Sequence, residues 1–259
     1  MALIHLNFHS DVLGMAMNAD VILPQKNTSL IGMKTESAEK FPTLWLLHGL
    51  SDDHTIWQRR TMIERYASER GIAVVMPNCH RSWYSDMQYG GAFFTYLTEE
   101  LPRICRSFFK GMSAEREYNY VAGLSMGGYG ALKCALTYPD RYAAAASLSG
   151  AVDIAAYVKG KEESKEPYWY SVLGAFDKVE GSKNDLFHLA DLAAQKEEKP
   201  NLFMWCGTED ALLGSNRRLK AHLDACGLAP TYFESEGDHS WKWWDMHIQD
   251  ALCFFFDQK

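Results

Sequence analysis

Two rhythms of apolar and polar positions alternate along the chain. Short apolar runs, too brief for helices, are separated by longer stretches in which apolar residues return every third or fourth position. That succession predicts βα units around a mostly parallel sheet, with helices on both faces. The runs 18–23, 43–48, 72–76, 118–122, 142–148, 201–206 and 231–234 read as strands. The run 43–48 is rich in apolar residues, as a strand buried on both faces should be. Helical periodicity covers 56–70, closed by Gly71, then 93–109 with Pro102 as a kink or break, then 126–136 and 241–256. Residues 25–41, polar and carrying Ser29, Gly32 and Ser37, read as a loop.

The rhythm breaks over 151–199, which is rich in Lys and Glu yet holds Tyr168, Trp169, Tyr170, Phe176 and Phe187. This stretch reads as an excursion packed over the sheet edge or the site, a partial cap and not a second domain. With 259 residues, 47% hydrophobic and 23% charged, the chain suits one α/β domain over 1–259.

Charge narrows the function classes. The formal net charge of -7 comes without any basic stripe, which excludes a nucleic-acid binder. No stretch approaches the ~18 apolar residues of a membrane span. Residues 1–20 lack the basic and apolar succession of an export signal. The six cysteines are scattered, as reduced thiols would be, and the expectation is a cytoplasmic protein.

Against this background Gly123-Leu124-Ser125-Met126-Gly127 stands out as G-x-S-x-G. The pattern alone is weak, but here a strand precedes it and a small-residue helix follows, as a nucleophile elbow requires. A serine hydroxyl needs a base, and the base needs an orienting acid. In the α/β-hydrolase order of Ser, acid, His, only His188, His222, His239 and His247 follow the serine. His239 lies in a polar turn between the last strand and the last helix, whereas His222 and His247 fall inside helical patterns. The acid should follow the strand 201–206, where Asp210 is favoured because the loop must first turn at Gly207. Glu209 is the runner-up, and Asp238 reads as a turn former. Oxyanion donors are expected from the backbone N–H groups of Met126 and of Leu50 after His48-Gly49. No H-E-x-x-H or clustered ligand spacing appears, so neither metal nor organic cofactor is expected. Trp57, Trp83, Tyr84 and Trp241 are candidates for either pocket or core.

These residues resemble the esterase D-like branch of the α/β-hydrolases. The resemblance rests on Leu46-Leu47-His48-Gly49-Leu50 with Trp57, Val74-Val75-Met76-Pro77-Asn78, and Ser82-Trp83-Tyr84-Ser85-Asp86. It continues through 123–129 and Trp205-Cys206-Gly207 with Asp210. It spans nearly the whole chain, weakest over 151–199, and is nearest to bacterial tributyrin esterases. It implies a serine carboxylesterase for short-chain acyl esters, with the triad Ser125, Asp210 and His239 and oxyanion donors at Leu50 and Met126. A small-molecule ester is the implied partner, and self-association into a homo-oligomer is common in the branch. The same branch includes S-formylglutathione hydrolases, acetyl-sugar and feruloyl esterases, and acyltransferase relatives. The chain lacks the longer glycine-rich insertion of the glutathione thioesterases after Trp83.

Overall fold

A computed structural model describes residues 1–25, 39–159, 161 and 167–257. The loop expected over 25–41 therefore lies largely outside the described residues. The strands are β1 (Ala2–Ser10), β2 (Met15–Leu23), β3 (Thr43–Leu47), β4 (Ala73–Pro77), β5 (Asn119–Leu124), β6 (Ala144–Leu148), β7 (Asn201–Gly207) and β8 (Thr231–Ser235). They form one sheet in the order β1-β2-β4-β3-β5-β6-β7-β8. The β1–β2 and β2–β4 pairs are antiparallel and the rest parallel. This is the α/β-hydrolase architecture, as the alternation of strand and helix patterns predicts.

Each strand's chemistry matches its depth. Every residue of β3, β4 and β6 is buried, because helices cover both faces. On one face lie α1 (Ile56–Arg60), α2 (Ile63–Arg70) and α10 (Trp241–Phe256). On the other lie α4 (Leu101–Phe108), α5 (Met126–Thr137), α8 (Leu186–Ala194) and α9 (Leu213–Ala225). The short helices α3 (Phe93–Thr95), α6 (Ile154–Lys159) and α7 (Pro167–Leu173) complete the set.

Three elements depart from expectation. Outside the strands expected from the pattern lies β1, an edge strand in which half-buried Ile4, Leu6 and Phe8 alternate with exposed His5, Asn7 and His9. Its turn into β2 is tied down by the buried Glu100 carboxylate, which accepts from the Ser10 hydroxyl and from the N–H groups of Asp11 (2.8 Å) and Val12 (3.2 Å). The helix expected over 56–70 is two helices, because Thr61 is extended at φ -136° and its hydroxyl bonds back to the Trp57 carbonyl. The interruption expected at Pro102 lies just ahead of it, over Tyr96–Glu100. A π-turn over Tyr96–Glu100 resets the hydrogen-bond register ahead of it, and Pro102 falls in the first turn of α4, where a missing N–H costs nothing.

The excursion after β6 grips the loop that follows β4. Trp169 lies 4.8 Å from Trp83 between ring centroids, and the Tyr168 hydroxyl donates to the Arg81 carbonyl at 2.7 Å. The N–H groups of Gln88 and Tyr89 donate to Val172 and Ser171. Lys133, on α5 and 1% exposed, joins these parts from within. Its ammonium donates to the Tyr84 carbonyl (3.2 Å), the Ser85 hydroxyl (2.8 Å) and the Asn184 side-chain oxygen (2.7 Å). None of these partners is a carboxylate. Trp83 and Tyr84 sit at φ 53° and 47°, a costly backbone for two consecutive non-glycine residues. The Lys133 bonds to Tyr84 and Ser85 hold that turn in place.

Burial pushes the Lys133 ammonium down to about 7. Between that value and the unfolded value near 10.5, the unfolded chain binds the extra proton, so stability gains as pH rises. We expect wild type to gain on the order of 2 kcal/mol over Lys133→Met between about pH 6.5 and 8.5 in urea unfolding. A difference between the two proteins that does not change with pH would contradict this placement.

Candidate active site

Ser125 alone makes the turn between β5 and α5, at φ 52° and ψ -118°. A serine is held in this disfavoured region only if its surroundings fix it. Its N–H donates to the Leu148 carbonyl at 2.9 Å, and its carbonyl accepts from Ala151 at 3.1 Å. The reversal also presses the helix start against the strand ends. A Cβ on Gly123 would collide with the Gly127 backbone, and one on Gly127 with the carbonyls of Leu47 and His48. That contact is why the elbow requires glycine on both sides of the serine.

His239, in the loop from β8 to α10, places Nε2 3.0 Å from the Ser125 hydroxyl oxygen. Its Nδ1 lies 2.8 Å from Asp210 Oδ2. The Asp210 side chain is fully buried, and its other oxygen accepts the Leu212 N–H at 2.8 Å. Burial works against the Asp210 charge, but the hydrogen bonds from His239 and Leu212 outweigh it and hold the carboxyl below its ordinary range. The structure thus brings Ser125, His239 and Asp210 into one chain of hydrogen bonds.

The runner-up acid has a different task. Glu209 accepts the Gly237 N–H at 2.6 Å and returns its own N–H to the Gly237 carbonyl at 3.0 Å. It clamps the histidine loop onto the acid loop. Gly207 leaves the space, since a Cβ there would strike the Gly237 backbone. Asp238 accepts from the Ser240 hydroxyl, as a turn former does. His247 is buried against Trp205, 4.0 Å between centroids, and bonds Asp250. His222 pairs with Asp191 on α8.

The two expected oxyanion donors follow β5 and β3, which are paired neighbours in the sheet. Met126 is the first residue of α5, so its N–H precedes the first helical bond, from Tyr129 to the Ser125 carbonyl. Leu50 lies half-buried in the turn after β3. The residue that fixes this turn, which sequence reasoning missed, is His48. It is 1% exposed, with Nδ1 donating to the Gly49 carbonyl (2.7 Å) and Nε2 accepting the Cys79 N–H (3.0 Å). The Tyr84 hydroxyl donates to the His48 carbonyl at 2.8 Å. Burial pushes the His48 imidazole down to about 4, so it stays neutral with its proton on Nδ1. His48 is visible in the sequence beside Gly49, but its partner Cys79 lies far along the chain.

Of the four aromatic candidates, Trp57, Trp83 and Tyr84 are core, while Trp241 is half-buried. Trp57 donates from Nε1 to the Leu47 carbonyl at 3.0 Å and meets Trp241 edge-on at 5.2 Å. Trp241 meets Trp244 at 5.3 Å, and Trp244 meets the His239 ring at 4.9 Å. A continuous run of rings therefore connects the end of β3 to the imidazole.

Comparison with known proteins identifies the family. The family model described as "Putative esterase" matches residues 10–255. An acetyl esterase from Caldicellulosiruptor saccharolyticus is 31% identical over 259 residues, covering 97% of each chain. The structure is similar to FphF, a fluorophosphonate-binding serine hydrolase of Staphylococcus aureus, at TM-score 0.88 and 34% identity over 99% of each chain. It is also similar to the S-formylglutathione hydrolase FrmB of Staphylococcus aureus, at TM-score 0.85 and 34% identity over 98% of each chain. With the elbow, the fold and these relatives in agreement, the chain belongs to this esterase family of α/β-hydrolases and is a carboxylic ester hydrolase of the serine type.

Proposed function

We propose that the chain hydrolyses esters of short acyl groups through an acyl-enzyme on Ser125, with His239 as base and Asp210 as its orienting acid. The observation that carries this reading is the pair of contacts at 3.0 and 2.8 Å linking hydroxyl, imidazole and carboxylate. His239 Nε2 takes the proton of the Ser125 hydroxyl as its oxygen attacks the ester carbonyl. The resulting oxyanion is received by the N–H groups of Leu50 and Met126, at the start of a 12-residue helix whose dipole favours negative charge. The imidazolium then protonates the leaving alcohol. Water attacks the acyl-enzyme with the same histidine as base, which regenerates Ser125 and releases the acid.

Short acyl groups are favoured because two relatives spanning nearly the whole chain are named for acetyl and S-formyl substrates. Both are the smallest acyl groups, while the alcohol and thiol parts differ. The 151–199 excursion is the element proposed to limit acyl length, since its Trp169 backs Trp83 in the loop after β4. The whole chain then acts as one α/β-hydrolase domain with this segment as a partial cap.

A panel of p-nitrophenyl esters from acetate to decanoate, run beside S-formylglutathione and acetylated sugars, tests the substrate class. We expect kcat/KM to fall by roughly 10-fold or more per methylene once the pocket is full, with the break near butyrate. Decanoate turned over as well as acetate would overturn the short-acyl reading, and a dominant rate on S-formylglutathione would move the alcohol side to a thiol. The acid's role is tested by Asp210→Asn. The amide leaves the geometry but supports the wrong imidazole tautomer, so kcat should drop by about 10⁴ with KM little changed. Glu209→Gln should lose far less. If the two losses were exchanged, Glu209 would be the acid.

A further inference from the structure

We propose that Asp191, His222 and Cys226 form a zinc-type metal site that staples α8 to α9. Three ligand types meet here from two helices. His222 lies on α9 and Cys226 caps its C-terminus four residues later, so both project from one face of the helix. Asp191 comes from α8, opposite them. One ligand atom from each residue lies within 4.8 Å of the other two, and Asp191 Oδ1 stands 2.8 Å from His222 Nε2. Tetrahedral zinc holds thiolate at about 2.3 Å and imidazole or carboxylate at about 2.0–2.2 Å, which sets ligand atoms roughly 3.3–3.8 Å apart. The arrangement seen, with the three ligand atoms within 4.8 Å of one another, lies close to that spacing.

The donor set selects the ion. A thiolate, an imidazole and a carboxylate suit zinc or cobalt, whereas magnesium and calcium take oxygen ligands. The site is partly open, with Asp191 exposed and the other two half-buried, so a water can fill the fourth position. Phe187, also on α8, meets the His222 ring edge-on at 5.2 Å and limits its rotation. The Cys226 thiol donates to the Leu223 carbonyl at 3.4 Å, a weak contact that coordination would replace. Binding breaks the S–H bond, and the thiol proton leaves to solvent. The imidazole coordinates through Nε2 and Asp191 through a carboxylate oxygen.

The site shares no residue with Ser125, His239 or Asp210, and its role is structural. α8 closes the 151–199 excursion, and α9 starts directly after the turn that holds Asp210. A bound ion would fasten these two supports together and add stability by mass action.

The test uses the full chain after chelator treatment, titrated with Zn²⁺ by calorimetry and with Co²⁺ by absorption spectroscopy. We expect one ion per chain, a thiolate-to-cobalt charge-transfer band with tetrahedral d–d intensity, and a Tm that rises with Zn²⁺. Cys226→Ser and His222→Ala should abolish the band and the Tm rise while keeping wild-type ester hydrolysis, which shows that both variants fold. Absence of saturable Zn²⁺ binding at micromolar concentration, or equal binding by both variants, would reduce the cluster to a surface ion pair beside a thiol.

Discussion

The structure depends on one backbone constraint, the left-handed turn at Ser125 between β5 and α5. Left-handed backbone costs a non-glycine residue roughly 1–3 kcal/mol, so the turn exists only because its neighbours leave no alternative. The Ser125 N–H is committed to β6 through Leu148, and its carbonyl to Ala151. The start of α5 is pressed against β5 at Gly123 and against the carbonyl end of β3 at Leu47 and His48. The same contact that forces the strain also sets the first N–H of α5 beside the loop from β3. The strained serine and the close approach of α5 to the end of β3 are thus consequences of one packing solution.

The imidazole and carboxylate reach this turn by a second close approach, on the neighbouring strands. β7 and β8 run parallel with Gly207 paired to Ser235, so the loops after them leave the sheet side by side. Gly207 against Gly237 lets the backbones touch, and the Glu209 carboxylate closes the gap with a charge-assisted bond to the Gly237 N–H. Asp210 is then free to face inward, where burial would neutralise it were it not for His239 and Leu212. The wall of Trp57, Trp241 and Trp244 rings fixes the imidazole from its other side.

The parts legible in the sequence are those whose cause is local. The G-x-S-x-G pattern, the strand before it and the helix after it carry their own explanation, and the polar turn around His239 between strand and helix does as well. The placement of Asp210, and not Glu209, against His239 has a local cause as well, the turn at Gly207. The parts that stayed hidden are decided by distant partners. His48 looks like an ordinary strand end until Cys79 is placed against it. Lys133 looks like a helix-surface charge until Ser85 and Asn184 enclose it. The π-turn ahead of Pro102 and the break at Thr61 depend on backbone registers that periodicity does not encode. β1 was readable in principle, since Ile4, Leu6 and Phe8 alternate with polar residues. Its single half-buried face made the signal faint beside the buried strands.

On the proposed mechanism, the strained hydroxyl at position 125 is the group made nucleophilic by the imidazole it touches. The most direct measurement is intact-protein mass spectrometry with peptide mapping after exposure to a fluorophosphonate. A single adduct per chain is expected, located on Ser125 and forming far more slowly when His239 is replaced by alanine. An unmodified chain, or an adduct on another residue, would contradict it.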